Sequence, residues 1–375
     1  MAFALAAWPT APRAGCQDAA IPWPRIWEGA SAWESPNGRA IAEEQIFLHT
    51  PYTHSWQSHF YNLLARLDDG TLLNIGPFQW RYGILDSWGL YVLLVDPQGR
   101  VFSWDGVLDG NSLQAADHGM KVRAGASSFE SAGSVHRWDV TVPGFSCALG
   151  FTNVLPAWMP GDGMAYYTPD AKYYYQYALP APLAYVTGTV TVFGRTVPAD
   201  GQCFYDTVEC VMPLSRTNEE LLSYRTFSSL GTPWQDRWFV ALYRIKSHQS
   251  FGPLVFPALL VARGDSWVLT SRDISFAVLQ TDRGPDPPYP YATSVAVSAR
   301  QGETIVTGTF TSERPFHVMD IFARLPPLFR VVASWFLKRP VDYRSVARFT
   351  GEVTLPDGSR HRLDLEGMGE HMFSR

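Results

Sequence analysis

Tyr91-Val92-Leu93-Leu94-Val95 runs into Asp96-Pro97-Gln98-Gly99 and comes back out as Arg100-Val101-Phe102-Ser103-Trp104. Two runs rich in β-branched and aromatic residues on either side of an Asp/Pro/Gly turn specify a hairpin, because the flanking side chains favour a pleated surface and the turn residues supply the backbone reversal. The same punctuation occurs at Asp68-Asp69-Gly70 and Pro356-Asp357-Gly358, each between apolar segments. From about Gln45 to the C-terminus short β-rich stretches alternate with such turns, the pattern of an all-β sandwich or barrel. Trp238-Phe239-Val240-Ala241-Leu242-Tyr243 is apolar on both faces. A strand with no polar face is buried on both sides, so an enclosed interior is expected.

The 375 residues exceed what one hydrophobic core usually holds, so two domains are expected. Apolar residues make up 46% of the chain and aromatic residues 14%, enough for a large core and for an aromatic-lined cavity. The net charge of −5 and the scattered Lys and Arg exclude the basic footprint of a nucleic-acid binder. Cys16, Cys147, Cys203 and Cys210 have neither zinc-site spacing nor the density of a disulfide scaffold. No apolar run reaches the ~20 residues that span a bilayer as a helix. The apolar stretch from Phe3 to Trp8 lacks a preceding basic residue, and Arg13 stands where a lipoprotein site before Cys16 needs an aliphatic one. A cytoplasmic location is therefore expected, with export left open.

Helical patterning is confined to Phe316 to Lys338, interrupted by Pro326-Pro327. The apolar bulk and basic ends of residues 328–338 suit a helix packed across a barrel mouth, or a lid making peripheral membrane contact. An internal echo links Thr187-Gly188-Thr189-Val190-Thr191, which leads to Gly201 and Asp206, with Thr350-Gly351-Glu352-Val353-Thr354, which leads to Gly367, Gly369 and Glu370. It predicts either that each domain ends in the same hairpin or that similar turn chemistry has produced similar sequences.

Candidate chemistry lies in Gly201-Gln202-Cys203-Phe204-Tyr205-Asp206-Thr207-Val208-Glu209-Cys210, where two carboxylates interrupt an apolar strand. Alternation puts Phe204, Asp206 and Val208 on one face and Tyr205, Thr207 and Glu209 on the other. Asp206 is the first candidate acid and Glu209 the second, since burial raises a carboxyl pKa and keeps a proton available near neutrality. The alternative for Asp206 is a structural pair with Arg225 or Arg237. His49, His54 and His59 follow one another at intervals of five residues. Odd spacing on a strand leaves only His49 and His59 in phase, about 33 Å apart when extended, so no metal site is expected. Trp234 and Trp238, read as in phase on one strand face, together with Trp56, Tyr205 and His54, form the expected substrate-binding set. There is no phosphate loop, GxSxG elbow or HExxH, and no cofactor is expected.

Val186-Thr187-Gly188 leading into Gly201 and Asp206, then Trp234-Gln235-Asp236-Arg237-Trp238-Phe239, then the closing Glu366-Gly367-Met368-Gly369-Glu370, resemble a family of two-domain lipocalin-like proteins. That family includes the carotenoid 1,2-hydratases (hydroxyneurosporene synthases), the AttH-like proteins and the fungal decalin-forming Diels–Alderases. The resemblance covers about residues 45–375. It implies an N-terminal β domain over 20–218 and a C-terminal lipocalin-like β-barrel over 219–375, with a pocket between or within them. In the family's Asp-His-x-Trp motif Asp206 matches the Asp, while Thr207 stands for the His and Glu209 for the Trp. The implied activity is cofactor-independent hydration, isomerisation or cyclisation of an apolar isoprenoid or polyene, as by a hydratase (lyase) or cyclase. A non-catalytic carrier of apolar small molecules and a pericyclase that works by shape alone are the rival expectations.

Overall fold

The computed structural model describes residues 25–28, 56–82, 85–108, 113–115, 120–229, 231–252, 254–284, 289–320 and 339–374. The 328–338 segment, His49, His54 and Cys16 lie outside them.

The fold is all-β, with two curled antiparallel sheets that follow one another along the chain. The expected turns are present because their residues satisfy the backbone locally. Asp96 Oδ1 accepts from the amides of Gln98 and Arg100 at 3.0 and 2.8 Å, and Gly99 takes a positive φ of 76°. Gly70 and Gly358 do the same at φ 95° and 81°.

Both sheets have one plan. In the first, Trp56–Leu67 opens a four-strand meander and also pairs with Gly201–Val211, which in turn pairs with Tyr174–Val192. In the second, Glu220–Phe227 opens the meander and pairs with Arg360–Ser374, which pairs with Pro340–Thr354. The two stretches of the sequence echo thus occupy equivalent strands, Tyr174–Val192 and Pro340–Thr354, each paired with the last strand of its sheet in chain order.

Alternation sorts the side chains. From Gly201–Val211, Cys203 and Tyr205 point into the first sheet's own core, against Trp138 and Phe151. Phe204 and Val208 point the other way, toward the second sheet. From Trp238–Lys246, Trp238, Val240 and Leu242 fill the second sheet's core, while Phe239, Ala241, Tyr243 and Ile245 face the first. The two-sided apolarity read in the sequence arises here: each central strand has a barrel-like interior on one face and the opposite sheet on the other. Phe204 stacks on Phe239 across the boundary, centroids 5.6 Å apart.

Where a helix is expected from Phe316, His317–Asp320 is a short strand paired with Pro340–Thr354. The free edge of that strand offers a ladder, and four residues of ladder hydrogen bonds outweigh a helical preference too short to propagate. The rest of the expected helix, from residue 321 to 338, lies outside the described residues.

Candidate active site

Between the two sheets lies a cavity of about 140 Å³. Its apolar wall includes Phe60, Phe78, Val208, Leu221, Val341 and Met372. Its polar wall is a continuous network of buried charges supplied by the strands at the centre of each sheet.

Asp206 is fully buried. Its Oδ1 accepts from Asn62 Nδ2 at 2.6 Å, and its Oδ2 accepts from Arg225 Nη2 at 2.6 Å and from the Tyr243 hydroxyl at 3.0 Å. The Arg225 guanidinium sits over the rings of Phe204 and Tyr243, 5.2 and 5.1 Å from their centroids. Its Nη1 donates to Glu370 Oε2 at 3.1 Å. Glu370 in turn accepts from Arg344 Nη2 at 2.9 Å, and Arg344 Nε donates to Asp342 Oδ2 at 2.8 Å. Arg344 also reaches Asn74 Oδ1 in the first sheet at 3.3 Å and lies 5.5 Å from the Tyr91 ring centroid. The Tyr91 hydroxyl closes the circuit by donating to Asn62.

Burial raises a carboxyl, and for Glu370 and Asp342 the partners decide the outcome. Burial pushes Glu370 up, but Arg344 and Arg225 together hold it below the ordinary carboxylate value. Asp342 goes the other way: burial lifts it to about 6, because Arg344 compensates only in part and the Glu370 charge adds to the rise. Its Oδ1 is buried without a hydrogen-bond partner among the described residues. The cavity wall therefore contains a carboxyl that keeps its proton to a higher pH than an ordinary aspartate.

This arrangement revises the expected division of labour. All three groups bound to Asp206 are donors, which suits an acceptor and not a proton donor, and the pairing with Arg225 is the alternative weighed from the sequence. Glu209 faces away from the cavity, where Gln57 Nε2 at 2.5 Å and the Tyr174 hydroxyl at 2.9 Å donate to it and His59 Nε2 lies at 3.4 Å. Burial raises it, yet those neighbours hold it below its ordinary value, again unsuited to an acid. Of the expected substrate-binding residues none of those described lines the cavity. Trp234 and Trp238 do not share a strand face: Pro233 leads Trp234–Asp236 into a 3₁₀ turn, and only Trp238 opens the strand. Trp234 packs edge-on against Tyr185, and Trp238 is buried in the second sheet's core. Trp56 is 41% exposed at a strand end, and Tyr205 is locked in the first core with its hydroxyl directed at Met120 Sδ.

Sequence reasoning missed Asp342 and Arg344. A signal was present in Val341-Asp342-Tyr343-Arg344: an acid and a base two residues apart, hence on one strand face, inside an apolar strand.

No protein-family model matches the chain, and no curated protein matches it. Solved structures do. A protein from Nitrosomonas europaea assigned to AttH aligns with a TM-score of 0.62 at 16% identity, over 92% of this chain and 100% of that one. CghA in complex with Sch210972 aligns at 0.59 and 13% identity, over 85% and 89% of the two chains. Kievitone hydratase from Nectria haematococca aligns at 0.59 and 11%, over 92% and 95%. These proteins are of the kind that the sequence resemblance names, and at such identities what this chain shares with them is the fold: two curled antiparallel sheets packed against each other.

Proposed function

We propose that this protein is an enzyme that transfers a proton to an unsaturated, largely apolar small molecule held between the two sheets, with Asp342 as the acid. Such a step begins a hydration, an isomerisation or a cyclisation. The observation that carries the reading is the Asp342 carboxyl, lifted to about 6 by burial, with one oxygen unpartnered, in the wall of an aromatic and aliphatic cavity. Arg344 holds its other oxygen, and the Asp206–Arg225–Glu370 chain fixes Arg344 in turn. As a cation develops in the substrate, the faces of Tyr91, Phe60 and Phe78 offer it π-electron density, worth about 0.5–2 kcal/mol each. The likeness in fold to a protein named as a hydratase agrees with this reading.

The test is proton transfer itself. Ligand is extracted from the purified protein, identified by mass spectrometry and incubated with it in D₂O. Wild type should place deuterium on a ligand carbon, and Asp342→Asn should slow this by at least about a hundredfold, the usual contribution of a positioned acid. Undiminished incorporation by Asp342→Asn would remove Asp342 from the mechanism. A ligand bound tightly and returned without deuterium would favour the carrier function instead.

A further inference from the structure

Among the polar groups of the same cavity that the network above does not use are Tyr175 and Asn218. Tyr175, on the Tyr174–Val192 strand beside Cys210, is 2% exposed, and its hydroxyl has no hydrogen-bond partner among the described residues. Burial, with the nearby Tyr243, Cys210 and Asp206, holds it far above the ordinary phenol value, so it stays protonated. Asn218, in the connection between the sheets, is 5% exposed. Its Oδ1 accepts from the Tyr167 hydroxyl at 2.9 Å, and Tyr167 is itself stacked on Phe251, centroids 5.0 Å apart. With its oxygen engaged, the Asn218 amide is oriented and its Nδ2 is left as a donor. Both residues line the cavity.

A buried donor without an acceptor loses the hydrogen bond it had in water, a cost of about 1–3 kcal/mol that a ligand oxygen recovers. Resting on the reading that the substrate occupies this cavity, we propose that Tyr175 and Asn218 form a subsite for a carbonyl oxygen, so that the substrate is an oxygenated unsaturated compound, such as an enone, and not a hydrocarbon. Two donors on the carbonyl oxygen hold the substrate in one orientation, and the proton goes to a double bond remote from that carbonyl.

The experiment is calorimetric titration of the full-length protein with 9-fluorenone and with fluorene, which differ by the one oxygen. Wild type should bind fluorenone about tenfold more tightly, and Tyr175→Phe, which keeps the ring, and Asn218→Leu should each remove most of that preference while leaving fluorene affinity within about twofold. Equal affinities in wild type, no binding of either probe, or a preference that survives both substitutions would overturn the subsite. Val208→Trp, which fills the cavity from the strand paired with that of Tyr175, should abolish binding of both probes. If it leaves both intact, the cavity is not the binding place and the subsite falls with it. Because the titration requires no turnover, it is independent of whether Asp342 proves to be the acid.

Discussion

Asp206 and Asp342 carry the same carboxyl group in opposite surroundings. Asp206 receives three hydrogen bonds and a guanidinium, whereas Asp342 has one oxygen on Arg344 and the other on nothing among the described residues. Removing Asp206 leaves Arg225 as a buried cation with less compensation, so Asp206→Ala should lower stability by about 3–5 kcal/mol in urea unfolding at pH 7. Asp342 should show the reverse. Its raised pKa means the folded state holds a proton between about pH 4 and 6 that the unfolded chain has released, so stability falls as pH rises through that window. Asp342→Asn keeps the acceptor for Arg344 and cannot ionise. It should melt above wild type at pH 8, with the gap closing by pH 4, and a gap independent of pH would contradict the raised pKa. At this scale the sequence announced that a carboxyl was buried among aromatic residues. It could not tell which one would be neutralised, because Arg225, Arg344 and Glu370 reach these positions only through pairing across strands far apart in the chain.

At the scale of elements, the hairpins were legible because a turn is decided by its own four residues: Asp96 binds its own neighbours' amides. The Trp234–Trp238 pair failed for an equally local reason, since the 3₁₀ turn after Pro233 breaks the strand period the reading relied on. The face on which each residue of Gly201–Val211 lies was correct, alternation being a property of any strand. Close approach between strands is harder to read. Gly76 lies opposite Tyr91 in the ladder, and a Cβ there would stand 2.1 Å from the Tyr91 ring. Gly76→Ala should therefore push that ring out of the cavity wall, costing about 1–3 kcal/mol in unfolding experiments and weakening fluorenone binding, while leaving the far-ultraviolet spectrum of the sheets unchanged.

On the scale of the whole molecule, the shared core decides the behaviour. Phe204, Val208 and Leu64 of the first sheet belong to one apolar cluster with Phe227, Phe239 and Ile245 of the second. The two sheets should therefore unfold together. Phe239→Ala should destabilise the protein by about 3–5 kcal/mol and shift every probe of either sheet by the same amount; two separated transitions would refute the coupling. That there are two sheets of one plan could be suspected from the echo between residues 187–191 and 350–354. How they face each other could not, since nothing local records which outer face meets which.

The connection after Gly201–Val211 has a role beyond joining the sheets, because Met212, Thr217 and Asn218 all stand in the cavity wall. An ancestor made by joining two copies of one half would have acquired this wall only at the fusion. The linker would then be the newest part of the chamber and the first place where descendants could diverge in what they accept. Neither half can be transplanted into a relative as a ready-made module, since the join would have to be rebuilt with it.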